Sequence, residues 1–530
     1  MSRMFAIKRT LPFVFPLALG LSMLIITYLG VDFSQIPGDL ADSRFNIFIL
    51  EHCYQFFSGT VDEFWSAGFM YPEDQVISLS DNLLGSAPIY ALFRWIGFNS
   101  YTAFQCWIVA LAVLNFVGTY LLIAYVTQKQ LWAGLGAFIF AFAIGLSAQM
   151  NHAQTFPRFA IPLCFLFLLL WKDRKSWYWF FLAAFSLSYT FYCGIYLGFF
   201  TLFPFTVVFI AVVIVNRTNL MEQFRNWRAW TTYSLSILLN LGLLYKLFKP
   251  YISRASGDQS LHNYEQIKHS IPSLESYFSA PLGTLIHGPL ENLIGNDYPA
   301  FWDHWIFPGW FAMIGLITIF IALFAKVFYK SKNSLNQNTW ILMLVGGLTF
   351  LFFIKINGHS LYYFLHYLPG FGAMRSITRV INIELLFFGL GLSTALSHLF
   401  RQQKRSFLVM LLFLPLLFID NFVQSDAFFL TSKQEMETRQ YELVQKMKDI
   451  PEGQVVSYEP NIDSLDITPS YLQLDAMLAA QALGLKSVNG YSARAATQFD
   501  RYWNAPNAEN RKFWFSRFRE MTGEDVYVVK

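Results

Sequence analysis

Nine residues, PGDLADSRF (Pro37–Phe45), set Asp39, Asp42 and Arg44 just past a long apolar run. A carboxylate at the edge of hydrocarbon is partly desolvated, which raises its proton affinity and suits it to take a proton from a hydroxyl. Asp39, after Gly38 in an expected tight turn, is the first choice for such a base. Asp42 is expected to cap the helix beginning near Arg44, although either acid fits either role at this level. Asp81, in LSDN, is a second candidate carboxylate or a cap and turn residue. The matching cations lie far along the chain. In LPGFGAMRSITRV, Arg375 and Arg379 stand four apart behind a Pro-Gly turn, on one face if helical, and guanidinium forks suit phosphate oxygens. In NHAQTFPRF, His152, Gln154 and Arg158 sit at a turn where they orient a substrate or simply satisfy the turn. Arg44, His152, Arg158, Arg375 and Arg379 are thus the candidate substrate or phosphate ligands.

The elements that must position these groups are membrane helices. Of 530 residues, 55% are hydrophobic and 14% charged, against about 25% charged in soluble domains. Repeated apolar runs are long enough to cross a hydrocarbon layer of ~30 Å. The fold class expected is a polytopic α-helical membrane protein. A net charge of +4, scattered between apolar runs, argues against nucleic-acid binding. The four cysteines form neither a CxxC pair nor a disulfide framework and read as small hydrophobes. Arg3, Lys8 and Arg9 before Leu11–Gly30 read as a retained first span rather than a signal peptide.

Spans are expected near 11–30, 101–126, 131–148, 156–171, 177–192, 194–215, 230–248, 306–328, 339–355, 380–399 and 406–423, about eleven in all by the length criterion. Basic residues between alternate spans put the N-terminus in the cytoplasm and the C-terminus outside. The expected organisation is a transmembrane domain, 1–423, with external stretches 31–100, 249–305 and 357–379, followed by a small external C-terminal α/β domain, 424–530. In the first stretch RFNIFILEHCYQFFSG reads as an amphipathic interfacial helix. In the second, Lys249 and Arg254 read as phosphate contacts or interfacial anchors, and Asp303-His304 lacks further metal ligands. In the tail, GQVVSYEP and DVYVVK read as strands and SYLQLDAMLAAQALGL as a helix.

These parts, in this order, resemble a bacterial branch of the GT-C superfamily of integral-membrane glycosyltransferases. The resemblance rests on GDLADSRFN, LEHCYQFFSG, FMYPEDQVISLSDNLLGSAPIYALFR, NHAQTFPRF, WIFPG, LPGFGAMRSITRV and SVNGYSARAATQFDRYW, and covers most of the chain. It implies an enzyme of the bacterial inner membrane that moves a sugar from a polyprenyl-phosphate donor to a glycan, lipid or protein acceptor on the outer side. By position the catalytic acid would be Asp39, with Asp42 as the near alternative and Asp81 as a second acid. Arg375 or Arg379 would bind the lipid phosphate. Some members hold a divalent metal ion at paired acids; this chain has no DxD, so no metal ligand is assigned and the ion stays open. Tyr491, Arg494, Tyr502 and Trp503 would offer acceptor-binding surface or form the tail domain's own core. A lipid-linked glycan transporter and a non-catalytic envelope scaffold are the alternatives.

Overall fold

Backbone N–H and C=O groups in hydrocarbon must be paired within their own segment, so the apolar runs become helices. The structure, a computed structural model, describes residues 2–223, 226–255, 262–295, 297–329, 335–400, 403–427, 430–460, 468–493 and 508–530. Among these residues, eight segments are long and apolar enough to cross a membrane: Leu11–Leu29, Ser100–Thr127, Gln130–Gln149, Ala153–Arg174, Ile195–Val215, Trp227–Arg254, Trp310–Phe328 and Ile377–Leu399. The chain therefore has the build of a multi-pass helical membrane protein.

In chain order the helices are α1 (Ser2–Leu24), α2 (Asp42–Phe57), α3 (Ala87–Ile96), α4 (Ser100–Thr127), α5 (Gln130–Phe142), α6 (Ala160–Arg174), α7 (Trp177–Cys193), α8 (Ile195–Val215), α9 (Arg217–Gln223), α10 (Trp227–Ala255), α11 (Tyr264–Ile267), α12 (Trp310–Tyr329), α13 (Gln337–Phe353), α14 (Tyr362–His366), α15 (Ile381–Leu399), α16 (Gln403–Asn421), α17 (Lys433–Met447), α18 (Pro469–Ala482) and α19 (Ala508–Thr522). The crossings expected at 177–192, 339–355 and 406–423 fall on the shorter helices α7, α13 and α16. Strands are few: β1 (Gln35–Pro37), β2 (Lys355–Ile356), β3 (His359–Ser360), β4 (Leu430–Ser432), β5 (Val455–Tyr458), β6 (Lys486–Ser487) and β7 (Tyr527–Val529). β1 pairs antiparallel with β4, β2 with β3, and β6-β5-β7 form a parallel sheet.

α15 is the axis of the bundle, buried over nearly its whole length, whereas α10 and α12 show rows of exposed apolar side chains. Its burial depends on small residues. A Cβ on Gly389 would collide with the Gly136 carbonyl of α5, and a Cβ on Gly315 of α12 with the Phe388 carbonyl of α15. Where lipid replaces water, such backbone-to-backbone approach is a main source of helix association. These contacts lie about two turns into α15, the helix that follows Arg375 and Arg379.

At one end of the bundle, here the loop end, the chain between α1 and α4 meets the C-terminal segment. α2 was expected to lie in the membrane interface, yet Phe45, Phe48, Ile49, Leu50 and Cys53 are all buried. They share one core with Met436, Leu474, Met477, Trp514 and Phe518, so packing runs unbroken across the boundary expected near 424. Arg44 joins the two parts. Its guanidinium is 1% exposed, ion-paired with Asp475 of α18, and donates to the carbonyls of Leu40 (2.6 Å) and Tyr471 (3.0 Å). Arg439 of α17 binds the same Asp475 carboxylate. On its other side α2 is braced by α3, where Arg94 forks onto Glu51 at 2.8 and 2.9 Å.

The α12–α15 contact predicts a sharp contrast between two glycines. Gly315→Leu should destabilise the protein by about 1–3 kcal/mol or more, because the new side chain meets backbone that cannot yield. Gly242→Ala on α10, where nothing lies within 4 Å of the added Cβ, should be neutral or stabilising by up to ~1 kcal/mol. Thermal unfolding of both variants in one detergent reads the difference.

Candidate functional site

The site is built around the turn QMNHAQ (Gln149–Gln154), which links α5 to α6 at the loop end. Four of its side chains reach other elements. Gln149 Oε1 accepts from Asn382 Nδ2 of α15 (2.7 Å), and Asn151 Oδ1 accepts from the Asp39 N–H (2.8 Å). His152 Nδ1 lies 3.0 Å from Asp42 Oδ2, a polar contact out of line for a full hydrogen bond. Gln154 Oε1 accepts from Asn46 Nδ2 (3.3 Å). Asp39, Asp42 and Asn46 follow one another at spacings of three and four, so a single edge of the α2 start meets the turn.

The capping expected of Asp42 falls to Asp39. Gly38 turns the chain at φ +104°, and a Cβ there would run into the Ser43 hydroxyl. Asp39 Oδ1 then accepts from the N–H groups of Ala41 (2.9 Å) and Asp42 (3.1 Å), so Asp39 is the residue that satisfies the open backbone at the helix start. Asp42 makes no capping bond. Its Oδ1 accepts from the Tyr491 hydroxyl (2.6 Å) and its Oδ2 faces His152. Burial works to raise the Asp42 carboxyl, but His152, the Tyr491 hydroxyl and the charge of Arg379 outweigh it and hold it below the usual carboxylate range. Tyr491 is shifted upward by burial and by the negative charge of Asp42, so its proton stays on the phenol.

Capping also engages Asp81 and Asp420. Asp81 Oδ1 accepts from the Ile195 N–H that opens α8 (2.6 Å), and the Asp420 carboxylate takes the Trp310 and Phe311 N–H groups that open α12 (2.9 and 3.1 Å). Burial, only partly offset by the Ile195 N–H and by Arg379, pushes the Asp81 carboxyl up to about 6.

Arg379 is the cation common to this region, since its charge acts on both Asp42 and Asp81. Its guanidinium lies 5.1 Å from the centre of the Tyr196 ring, and its Nε donates to no protein atom. Tyr196, directly after the N–H capped by Asp81, also accepts the Arg375 N–H through its hydroxyl (3.0 Å). One tyrosine therefore carries the turn that presents both arginines. Arg375 itself is exposed and acts on Tyr491.

The remaining expected ligands are elsewhere. Arg44 has its guanidinium donors committed to Asp475 and two carbonyls, which corrects its assignment as a phosphate ligand. Arg254 pairs with Glu73 at 2.8 Å. Arg158 is buried under the turn, against the Phe140 ring. Both ring nitrogens of His304 are engaged, by the Ser276 hydroxyl (2.7 Å) and the His269 carbonyl (2.8 Å), so it has none left for a metal. Among the described residues no group of three His, Cys, Asp or Glu side chains converges as a metal site. Arg494, Tyr502 and Trp503 lie outside the described residues.

Sequence reasoning missed Gln149, Asn151, Tyr196 and Asn382. For the first two a signal was present: a run of amides around His152, between apolar segments, where each polar group needs a partner.

Asp81 gives a pH test with a definite sign. Its folded value, about 6, lies above the ordinary 3.8, so the protonated form is the one that folding favours. That contribution is complete below about pH 3.8 and is lost as pH rises through about 6. Asp81→Asn keeps the acceptor for Ile195 and never charges. It should stabilise the protein at pH 8 by at most about 3 kcal/mol, with the gain fading toward pH 4; paired melting curves at the two values check it.

No protein-family model matches the chain and no curated protein is similar to it, so what the site can do rests on its own geometry.

Proposed function

We propose that the protein is a membrane glycosyltransferase that moves a sugar from a polyprenyl-phosphate donor to an envelope acceptor, with Asp42 as general base. The observation that carries this reading is the sorting of the acids. Asp39, Asp81 and Asp420 serve helix starts, while Asp42 is oriented by an imidazole and a phenol in the field of Arg379. An ionised, oriented carboxylate in the field of a guanidinium whose Nε is open suits inverting transfer from a phosphate leaving group.

In the proposed step the acceptor hydroxyl oxygen attacks the anomeric carbon and its proton passes to Asp42. The bond from that carbon to the lipid phosphate breaks, and the electron pair leaves with the phosphate. Arg375 and Arg379 offset the charge that develops there, and the configuration at the anomeric carbon inverts. His152 and Tyr491 position Asp42. The eight long helices together with α7, α13 and α16 make eleven crossings in this reading, with the N-terminus in the cytoplasm of a bacterial cell and the loop end outside. Lys129, Lys172, Arg174 and Lys175 at the other end of the bundle support that orientation.

The test is transfer by the purified protein in nanodiscs, supplied with radiolabelled polyprenyl-phosphate sugars and an envelope extract as acceptor. Asp42→Asn should lower the rate by about 10²–10⁴-fold. Arg379→Gln should cost about 10²–10³-fold. Asp39→Asn retains the capping oxygen and should stay within about threefold of wild type. Wild-type transfer by Asp42→Asn removes the base. Tight binding of a lipid-linked glycan without transfer from any donor moves the reading to a transporter.

A further inference from the structure

We propose that the open cavity bounded by α11, the β2–β3 hairpin and α14 binds one zwitterionic phospholipid whose headgroup ends in a primary ammonium. The cavity holds about 680 Å³, within the range of roughly 300–1,000 Å³ typical of small-ligand sites. Its floor is apolar, formed by Leu351, Ile354, Ile356, Leu361 and Phe364. Leu351 lies in the last turn of α13, and Leu344, seven residues earlier on the same face, is exposed as well. An exposed apolar row on a helix of a membrane protein faces lipid, so the floor continues that surface to the level where α13 leaves hydrocarbon. Exposed Tyr363 and Tyr367 mark the same level, since tyrosine rings collect where hydrocarbon meets water. This continuity selects a lipid as the occupant, and its binding is independent of transfer chemistry.

The rim decides the headgroup. Glu265 of α11 and Lys268 just past it line the mouth, and their side chains are 70% and 36% exposed, so a headgroup can reach both. They meet each other at 3.4 Å, and so exposed a pair opens at little cost. Among the described residues that line the cavity these two carry the only full charges, one of each sign, and His359 is the other basic side chain. The neighbouring Lys355 is spent on the Lys268 carbonyl (3.0 Å) and the Tyr298 hydroxyl (2.8 Å). An anionic headgroup would set its uncompensated charge beside Glu265. A zwitterion gives its phosphate oxygens to Lys268 and its ammonium to Glu265. A carboxylate accepts only from a donor hydrogen, which a primary ammonium has and a quaternary one lacks. The cavity is preformed. The His262 N–H donates to the Gly372 carbonyl (3.0 Å) and the Tyr362 hydroxyl to the Phe371 carbonyl (3.1 Å), which ties the α11 and α14 walls to one stretch of chain. Tyr264 and Tyr363 pack edge to face between those walls at 5.0 Å.

The full-length protein would be placed in nanodiscs of phosphatidylethanolamine, phosphatidylglycerol and phosphatidylcholine in equal parts, with identical chains and a trace of polyprenyl phosphate. It would then be extracted into detergent, and the lipid left on it identified by native mass spectrometry. Phosphatidylethanolamine should be retained about tenfold over the other two phospholipids, the worth of one charge-assisted hydrogen bond. Glu265→Lys, which leaves two cations at the rim, should turn the preference to phosphatidylglycerol, and Lys268→Met should abolish it. Both side chains are exposed, so neither change threatens the fold. Equal retention of the three phospholipids, or a preference that either substitution leaves intact, overturns the proposal. So does selective capture of polyprenyl phosphate, which gives the cavity to a donor lipid, or a lipid-free dimer, which gives it to a second copy of the chain.

Discussion

Arg44 and Asp475 hold the loop end together. Two charges this deep regain their lost hydration only when geometry and additional hydrogen bonds are good, and here Leu40, Tyr471 and Arg439 provide them. Removing either partner would strand the other, which is why such a pair enforces one arrangement of the chains even if its net contribution to stability is small. The arrangement enforced is α2 against α18. Asp42 lies two residues before Arg44, and Tyr491 belongs to the segment that shares the α18 core, so the Tyr491–Asp42 bond depends on the same docking. A tail displaced from α2 would take the phenol away from the carboxylate and leave the His152 contact alone.

The second constraint is the open backbone at helix starts. In a protein whose helices begin at the edge of a membrane, each first turn has N–H groups with no partner in the helix and little water to replace one. Asp39, Asp81 and Asp420 answer that need for α2, α8 and α12. Their presence near hydrocarbon has a structural cause that calls for no catalysis. Asp42 differs because its neighbour three residues earlier already caps the same helix, so its own oxygens turn outward to an imidazole and a phenol. A carboxylate relieved of capping is available for chemistry.

Composition and run length made the membrane helices legible, whereas the four-residue spacing of Arg375 and Arg379 does not form a helix face, because Arg375 precedes the short turn Ile377–Val380. The division between Asp39 and Asp42 was not legible. It is set by the left-handed turn at Gly38 and by Asn151 holding the Asp39 N–H, and no local pattern reports a partner 112 residues away. Arg44 was unreadable for a similar reason: a guanidinium beside an apolar run resembles a lipid-phosphate ligand until Asp475, 431 residues on, is known to reach it. The sequence of α2 has the apolar period of an interfacial helix, yet the helix is buried all round from Ser43 to Leu50, and period alone does not say whether lipid or protein covers the apolar side. In each case the missing information was a contact between distant segments.

The two classes of arginine at the loop end differ in what surrounds them, and the bundle determines which is which. Arg375 and Arg379 ride on the turn that enters α15, and α15 is clamped by backbone contacts at Gly136, Gly315 and Gly389. Helices that meet through glycine leave little freedom to slide, and Tyr196 on α8 holds the arginine turn by accepting the Arg375 N–H. The charge of Arg379 acts on both Asp42 and Asp81, and its Nε stays open. A longer side chain at any of those glycines would push α15 outward and loosen the turn. The electrostatics of the site is in this sense a consequence of residues that carry no charge and no side chain.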